Sequence, residues 1–251
     1  MATSEGTIKT SGSIKKREKC RLSKNSSLRS KMLHQLASAR FRYLNEKLYK
    51  SDKSEISEVF SEGTSTFNAY HKGFNQQVKQ WPINPLDVII KALKRRSDLK
   101  ELRIADFGCG EARLSAEISS IANKVESFDL MAVNSRVKVC DVRHTPLKSG
   151  SMDVVVYCLS LMASSLVEHF KESNRVLKVG GIMMIAEVES RFENVNKFIE
   201  QLTHFGFELI KNDFTHNLFY FMDFKKVSDI SKSKKKKLPD IVLLPCIYKK
   251  R

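Results

Sequence analysis

Ile104-Ala105-Asp106-Phe107-Gly108-Cys109-Gly110-Glu111 decides how the rest of this 251-residue chain is read. An apolar run of strand length ends in two glycines. Leu114, Ile118 and Ile121 then recur at helical spacing. A strand–turn–helix of this kind lets backbone pass close to a ligand and aims the amides of a helix N-terminus at it. A dinucleotide site would want a third glycine at position 113, where Arg113 stands. A cofactor without a pyrophosphate does not need that clearance. Alone, a Gly-x-Gly is also a common tight turn, so the surroundings decide between the two.

Outward from the loop, strands are expected near 102–107, 125–129, 137–140, 153–158 and 181–187, and helices near 85–96, 111–122, 166–177 and 194–205. This alternation predicts a mostly parallel sheet covered on both faces. Gly180-Gly181 is expected to turn the chain into the fifth strand. Glu208–Asp213 and Leu218–Phe224, joined by the polar turn 214–217, predict an antiparallel hairpin. The expected class is therefore α/β: a seven-stranded, mostly parallel Rossmann-like sheet of the class I methyltransferase type. A closing antiparallel hairpin and an extra N-terminal helical segment complete it.

Asp129 ends the second strand, 21 residues after Gly108, where a carboxylate can accept both hydroxyls of a ribose. An Asp-x-Gly-x-Gly loop followed by such an acid is the pattern of S-adenosylmethionine sites, so that cofactor is expected. Asp141 ends the third strand, in reach of an adenine edge; a helix cap or a surface turn is the alternative reading. The end of the fourth strand, Tyr157–Met162, should face the transferred methyl. It lacks the Asn/Asp-Pro-Pro-Tyr that often holds an amine there. Cys158 has no Pro-Cys context and reads as a small buried hydrophobe. The five cysteines are scattered, without metal-ligand spacing, so no metal site is expected.

The formal charge of +16 sits at the two ends. Residues 1–50 carry 13 Lys/Arg against 3 Asp/Glu, and residues 225–251 carry 10 against 2, while the middle is nearly neutral. Basic arms on a neutral domain call for a polyanion, with nucleic acid ahead of acidic membranes, or serve as solubilising or import tails. No apolar run approaches a membrane span, and the N-terminus has no apolar leader core. Residues 1–30 are expected to be a disordered basic tail. Within 31–50, Leu33, Ala37, Phe41, Leu44 and Leu48 mark an amphipathic helix with a basic side. Phe67–Phe74 mixes aromatics with His71 and Gly73, and Asn84-Pro85 is a cap and first-turn pair. The organisation expected is a tail over 1–30, a helical RNA-binding arm and cofactor lid over 31–84, a catalytic domain over 85–227 and a basic extension over 228–251.

Longer stretches are more specific than the glycine loop. Ala39–Glu46, Tyr70–Phe74, Trp81–Pro85, Ala105–Gly110, Ser127–Leu130, Cys140–Val142, Cys158–Met162, Ala186–Phe192 and Pro245–Arg251 follow in order from about residue 35 onward. On these the chain resembles the ribosomal RNA-processing protein 8 (nucleomethylin) family. The resemblance implies a nucleolar, hence nuclear, methyltransferase acting on adenine N1 in large-subunit (25S/28S) ribosomal RNA during ribosome biogenesis, with pre-ribosomal particles as partners. It also implies cofactor contacts at His71, Gly108, Asp129, Asp141, Val142 and Cys158, the last through backbone. Ala163 stands where a glycine is common, and Val142 where methionine is frequent. Glu187, after the fifth strand, is the candidate to stabilise a cationic product base. Two alternatives stay open: a cofactor-sensing subunit of a chromatin complex that silences ribosomal DNA and recognises methylated histone, and a methyltransferase for another RNA or a protein.

Overall fold

The computed structural model describes residues 12–50, 64–216, 218–231 and 237–246. Its strands are β1 (Arg103–Phe107), β2 (Lys124–Asp129), β3 (Val137–Val139), β4 (Met152–Cys158), β5 (Leu177–Val188), β6 (Phe207–Asp213) and β7 (Phe219–Lys226). The helices are α1 (Gly12–Lys50), α2 (Thr64–Val78), α3 (Pro85–Lys94), α4 (Arg113–Ile118), α5 (Val167–Val176) and α6 (Val195–Thr203). They build one seven-stranded sheet in the order β3-β2-β1-β4-β5-β7-β6. Strands β1 to β5 run parallel, and β7 is antiparallel to both β5 and β6.

The central strands are apolar on both faces because helices cover both. Ala105, Phe107, Val155, Tyr157, Met183 and Ile185 enter one core. Their chain neighbours Ile104, Val154, Val156, Met184 and Ala186 enter the other. The order reverses between β1 and β4, which leaves a crevice beyond the carboxyl ends of those two strands. The Asn84-Pro85 start of α3 forms as expected: the Asn84 side chain accepts from the Leu86 amide at 3.0 Å, with Pro85 in the first turn.

Several local expectations are corrected. Residues 12–30, expected to be disordered, belong to α1. No Pro or Gly follows Gly12 up to Lys50, and Lys, Arg, Glu, Leu and Gln favour helix. Residues 1–11 of the expected tail lie outside the described residues. The 111–122 helix is shorter, Arg113–Ile118. The Gly180-Gly181 pair does not start β5 but lies inside it. Met152 pairs with Leu177 and Val154 with Ile182, so β5 bows out, with Gly180 at φ +88°. The basic C-terminal extension over 228–251 packs back on the domain where it is described. Asn174 donates to the Ser228 carbonyl at 2.8 Å, and Leu166 N–H donates to the Ile241 carbonyl at 2.9 Å. Ile241 and Leu243 are buried in the apolar core to which α5 and α6 contribute, and Cys246 is buried beside α1. Of this extension, residues 232–236 and 247–251 lie outside the described residues.

Helices α1 and α2 pack together over the crevice. Phe41 and Leu44 of α1 and Tyr70 of α2 are buried with Phe74, Met131, Val133 and Met162 around them. Gly73 permits this approach: a Cβ there would stand 2.8 Å from Phe41 Cγ. Leu33, expected on the apolar face, is 57% exposed, whereas Phe41, Leu44 and Tyr49 farther along α1 are buried.

Candidate functional site

The crevice holds a cavity of about 250 Å³. Its floor is the loop after β1. Gly108 and Gly110 adopt φ +75° and +57°, conformations that favour glycine. The turn presses Gly108 against the segment after β4, where a Cβ would overlap Ser160 Cβ and stand 3.1 Å from its Oγ. Ser160 Oγ in turn donates to the Phe107 carbonyl at 2.6 Å. Gly110 faces α2: a Cβ there would approach His71 Cε1 to 3.3 Å.

The structure brings His71, Gly108, Asp129, Asp141, Val142 and Cys158 to this one cavity. Asp129, at the end of β2, accepts from the Gly110 amide and from its neighbour Leu130, each at 2.8 Å. Burial holds its pKa above the ordinary carboxylate range, against the pull of the Gly110 amide and of His71. Burial also lowers the His71 pKa, with Asp129 opposing, so the imidazole is biased toward its neutral form. Asp141 is engaged by Arg143, whose Nε donates to its two oxygens at 2.7 and 2.9 Å. Burial works against its charge, but hydrogen bonds from the Arg143 side chain and backbone outweigh it and keep its pKa low. The Cys158 thiol is driven well above its usual pKa, first by burial and then by Asp106, so it is no thiolate nucleophile.

Sequence reading passed over several lining residues. Asp106 is buried, and burial, assisted by Asp129, raises its pKa to about 7. Tyr70, Phe74 and Trp81 give the cavity an aromatic wall, with Phe74 and Trp81 meeting edge to face at 5.9 Å. Asn75 of α2 donates to the Glu111 carboxylate at 2.9 Å and ties this wall to the glycine loop. The aromatic and polar mixture of 67–74 was the available signal; Gly73 hid its helical periodicity.

Glu187 is the exception among the candidates. It does not line the cavity. Its side chain is 1% exposed, 2.8 Å from the Arg191 guanidinium, and it accepts from the Leu161 amide at 3.1 Å. Its carboxylate is therefore already engaged by that guanidinium and that amide, away from the cavity. Among the described residues, no group of three or more His, Cys, Asp or Glu is placed to hold a metal ion. No described helix is long and apolar enough to cross a membrane.

Residues 27–251 match a protein family described as "Hypothetical methyltransferase". Ribosomal RNA-processing protein 8 of Drosophila melanogaster is 46% identical over 225 residues, covering 90% of this chain and 61% of that protein. Its namesake from Mus musculus is 43% identical over 229 residues, covering 91% of this chain and 49% of that one. The chain thus spans about half to three-fifths of the length of these two relatives. The 25S rRNA (adenine(645)-N(1))-methyltransferase of Schizosaccharomyces pombe is 38% identical, over 95% of this chain and 78% of that protein. Among solved structures, Burkholderia thailandensis 1,6-didemethyltoxoflavin-N1-methyltransferase, with bound 1,6-didemethyltoxoflavin and S-adenosylhomocysteine, shares the fold. Its TM-score is 0.54 at 16% identity, over 71% of this chain and 92% of that one. Sheet order, glycine loop and these sequence identities agree: the chain belongs to the ribosomal RNA-processing protein 8 family.

Proposed function

We propose that the protein binds S-adenosylmethionine and methylates N1 of an adenine in large-subunit ribosomal RNA, as a nuclear, nucleolar factor working on pre-ribosomal particles. The observation that carries this reading is the cavity itself. It combines a glycine cradle, a carboxylate at the end of β2 and an aromatic wall from α2. Family membership narrows the substrate, since one relative is named for adenine N1 methylation of 25S rRNA.

The residues fit an adenosyl cofactor. Gly108 and Gly110 line the cavity without side chains of their own, and Asp129 offers acceptors for ribose hydroxyls. Asp141 and Val142 would meet the adenine edge, and His71 would close the cavity from α2. When bound, the cofactor supplies an electrophilic methyl group on a sulfonium. Adenine N1 carries a lone pair at neutral pH, so no side chain has to remove a proton first. The chain's contribution is then alignment and exclusion of water. Phe74 and Trp81 can stack an unpaired base, which is needed because pairing hides N1. Asp106 and Asp129 give the cavity carboxyl groups suited to a product base that carries positive charge. Outside, Arg29, Lys31, Arg40 and Lys47 are exposed on α1, where flanking phosphates can be held.

The test is methyl transfer to large-subunit rRNA from cells lacking the gene, followed by nucleoside analysis. A single 1-methyladenosine is the expected product. A different methylated nucleoside, or transfer to protein alone, rejects the substrate assignment.

Asp106 makes a pH dependence expected as well. Its pKa near 7 means that the folded free protein holds it partly protonated below neutrality. A ligand bearing a sulfonium and an ammonium favours the ionised form, so binding below pH 7 expels a proton. Affinity should therefore rise with pH, by at most about tenfold per unit, and level off above about pH 7.5. Asp129, also raised by burial, acts in the same direction. Calorimetry between pH 6 and 8 measures this, and Asp106→Asn should flatten much of the slope. An unchanged slope in that variant assigns the proton elsewhere.

A further inference from the structure

The fold buries one ion pair almost completely: Glu187 at the end of β5 and Arg191 just beyond it are each 1% exposed. A buried pair of this kind adds little net stability over apolar residues of the same volume. What apolar residues cannot do is hold a peptide unit from both sides. Here Glu187 accepts from Leu161 N–H at 3.1 Å, and Arg191 Nη2 donates to the Leu161 carbonyl at 2.7 Å. Both polar groups of one residue are thus gripped by one ion pair.

Leu161 lies between Ser160 and Met162, which line the cavity. The backbone enters this segment through Leu159, which is held at φ +56°, an uncommon conformation for leucine that its surroundings must impose. The same Arg191 reaches two other parts of the chain. Its Nε donates to the Leu244 carbonyl at 2.9 Å, and its own carbonyl accepts from Leu244 N–H at 2.8 Å. Its guanidinium lies 4.8 Å from the ring centroid of Tyr49 on α1. One guanidinium therefore joins the cavity wall, the basic helix α1 and the returning C-terminal segment.

We propose that Glu187 and Arg191 are positioning residues that set the 159–162 wall of the cavity and make methyl transfer, more than cofactor binding, depend on the seating of α1 and the C-terminal segment. This rests on the methyltransferase reading above. RNA that engages the basic α1 then acts on the wall through Tyr49 and Arg191. The cofactor side of the cavity, from β1 and β2, touches neither member of the pair through any of these bonds.

The experiment compares the full chain with Arg191→Lys, Glu187→Gln, Tyr49→Leu and Tyr49→Phe. Calorimetry with S-adenosylhomocysteine gives cofactor affinity, single-turnover transfer to rRNA gives the rate, and amide hydrogen exchange reads the peptide that contains Leu161. Arg191→Lys and Glu187→Gln should keep cofactor affinity within about threefold, lose about tenfold or more in transfer rate and exchange faster at Leu161. Tyr49→Leu, which leaves the ion pair intact, should show the same pattern more weakly, and Tyr49→Phe, which keeps the ring, should behave as the parent protein. If rate and cofactor affinity fall together by the same factor, the pair is merely structural and the proposal is overturned. Should the ion-pair variants fail to fold, the two Tyr49 variants decide: equal exchange at Leu161 in both overturns the coupling. If the parent protein transfers no methyl to rRNA, the functional reading falls on its own. The exchange measurement still decides the grip on Leu161, because unchanged exchange in a folded Arg191→Lys protein removes it.

Discussion

Replacing Asp129 with alanine is expected to weaken S-adenosylhomocysteine binding by about two to four orders of magnitude while leaving the fold intact. Hydrogen bonds to a charged acceptor are worth about 1.5–3 kcal/mol each, and a ribose diol offers two. The substitution also releases the Gly110 amide, which Asp129 holds at 2.8 Å, so the glycine loop loses the bond that fixes its far end. The side chain sits on a cavity wall rather than in either apolar core, and its burial disfavours its charge. Removing it therefore costs little stability, and the melting temperature should stay within a few degrees. Asp129→Asn keeps an acceptor but not the charge and should fall between the two. Calorimetry beside a thermal melt checks both halves. Cofactor affinity within threefold of the parent in a folded Asp129→Ala protein would place the ribose elsewhere.

The second large effect is on folding as much as binding. Gly108→Ala puts a Cβ at φ +75°, which costs an L-residue about 1–2 kcal/mol. It also drives that carbon into Ser160 Cβ, an overpacking of about 1–3 kcal/mol. Ser160 cannot easily yield, because its hydroxyl is bound to the Phe107 carbonyl at 2.6 Å and Leu161 beyond it is gripped from both sides. With about 2–4 °C per kcal/mol for a domain of this size, the melting temperature should drop by roughly 5–20 °C. Cofactor binding should fail even at low temperature. A Gly108→Ala protein that melts like the parent and still binds would show that the two segments are free to part. Gly110→Ala should be milder, since its Cβ would meet only the edge of the His71 ring at 3.3 Å.

Much of this was legible in the residues. The glycine loop, the acid that ends β2, the period-two apolar pattern of β4 and the polar turn before β7 are local signals. A parallel sheet has few ways to connect them. Gly108, Asp129, Asp141 and Cys158 follow from the same logic, since strand ends next to the order reversal converge by topology, whereas His71 on α2 was named only by the family resemblance. What was not legible depends on partners far away in sequence. An arginine four residues past Glu187 reads as surface, yet Arg191 is buried because Leu161, Leu244 and Tyr49 come to it from three different parts of the chain. Glu187 looked like a catalytic carboxylate on position alone, and only that arginine reveals its commitment. The basic C-terminal end read as an extension because charge runs are usually solvated. Ile241 and Leu243 nonetheless bury part of it against the domain.

Asn45 of α1 donates to the Cys246 carbonyl at 2.7 Å across 201 positions of sequence. That bond has a consequence for the order in which the protein is made. Contacts so remote along the chain form late, after the loop between them has closed, and they slow folding. During synthesis α1 emerges first and waits, amphipathic and half-partnered, while the whole sheet is built behind it. The face of α1 that Cys246 covers should therefore stay open until the segment around Cys246 has left the ribosome.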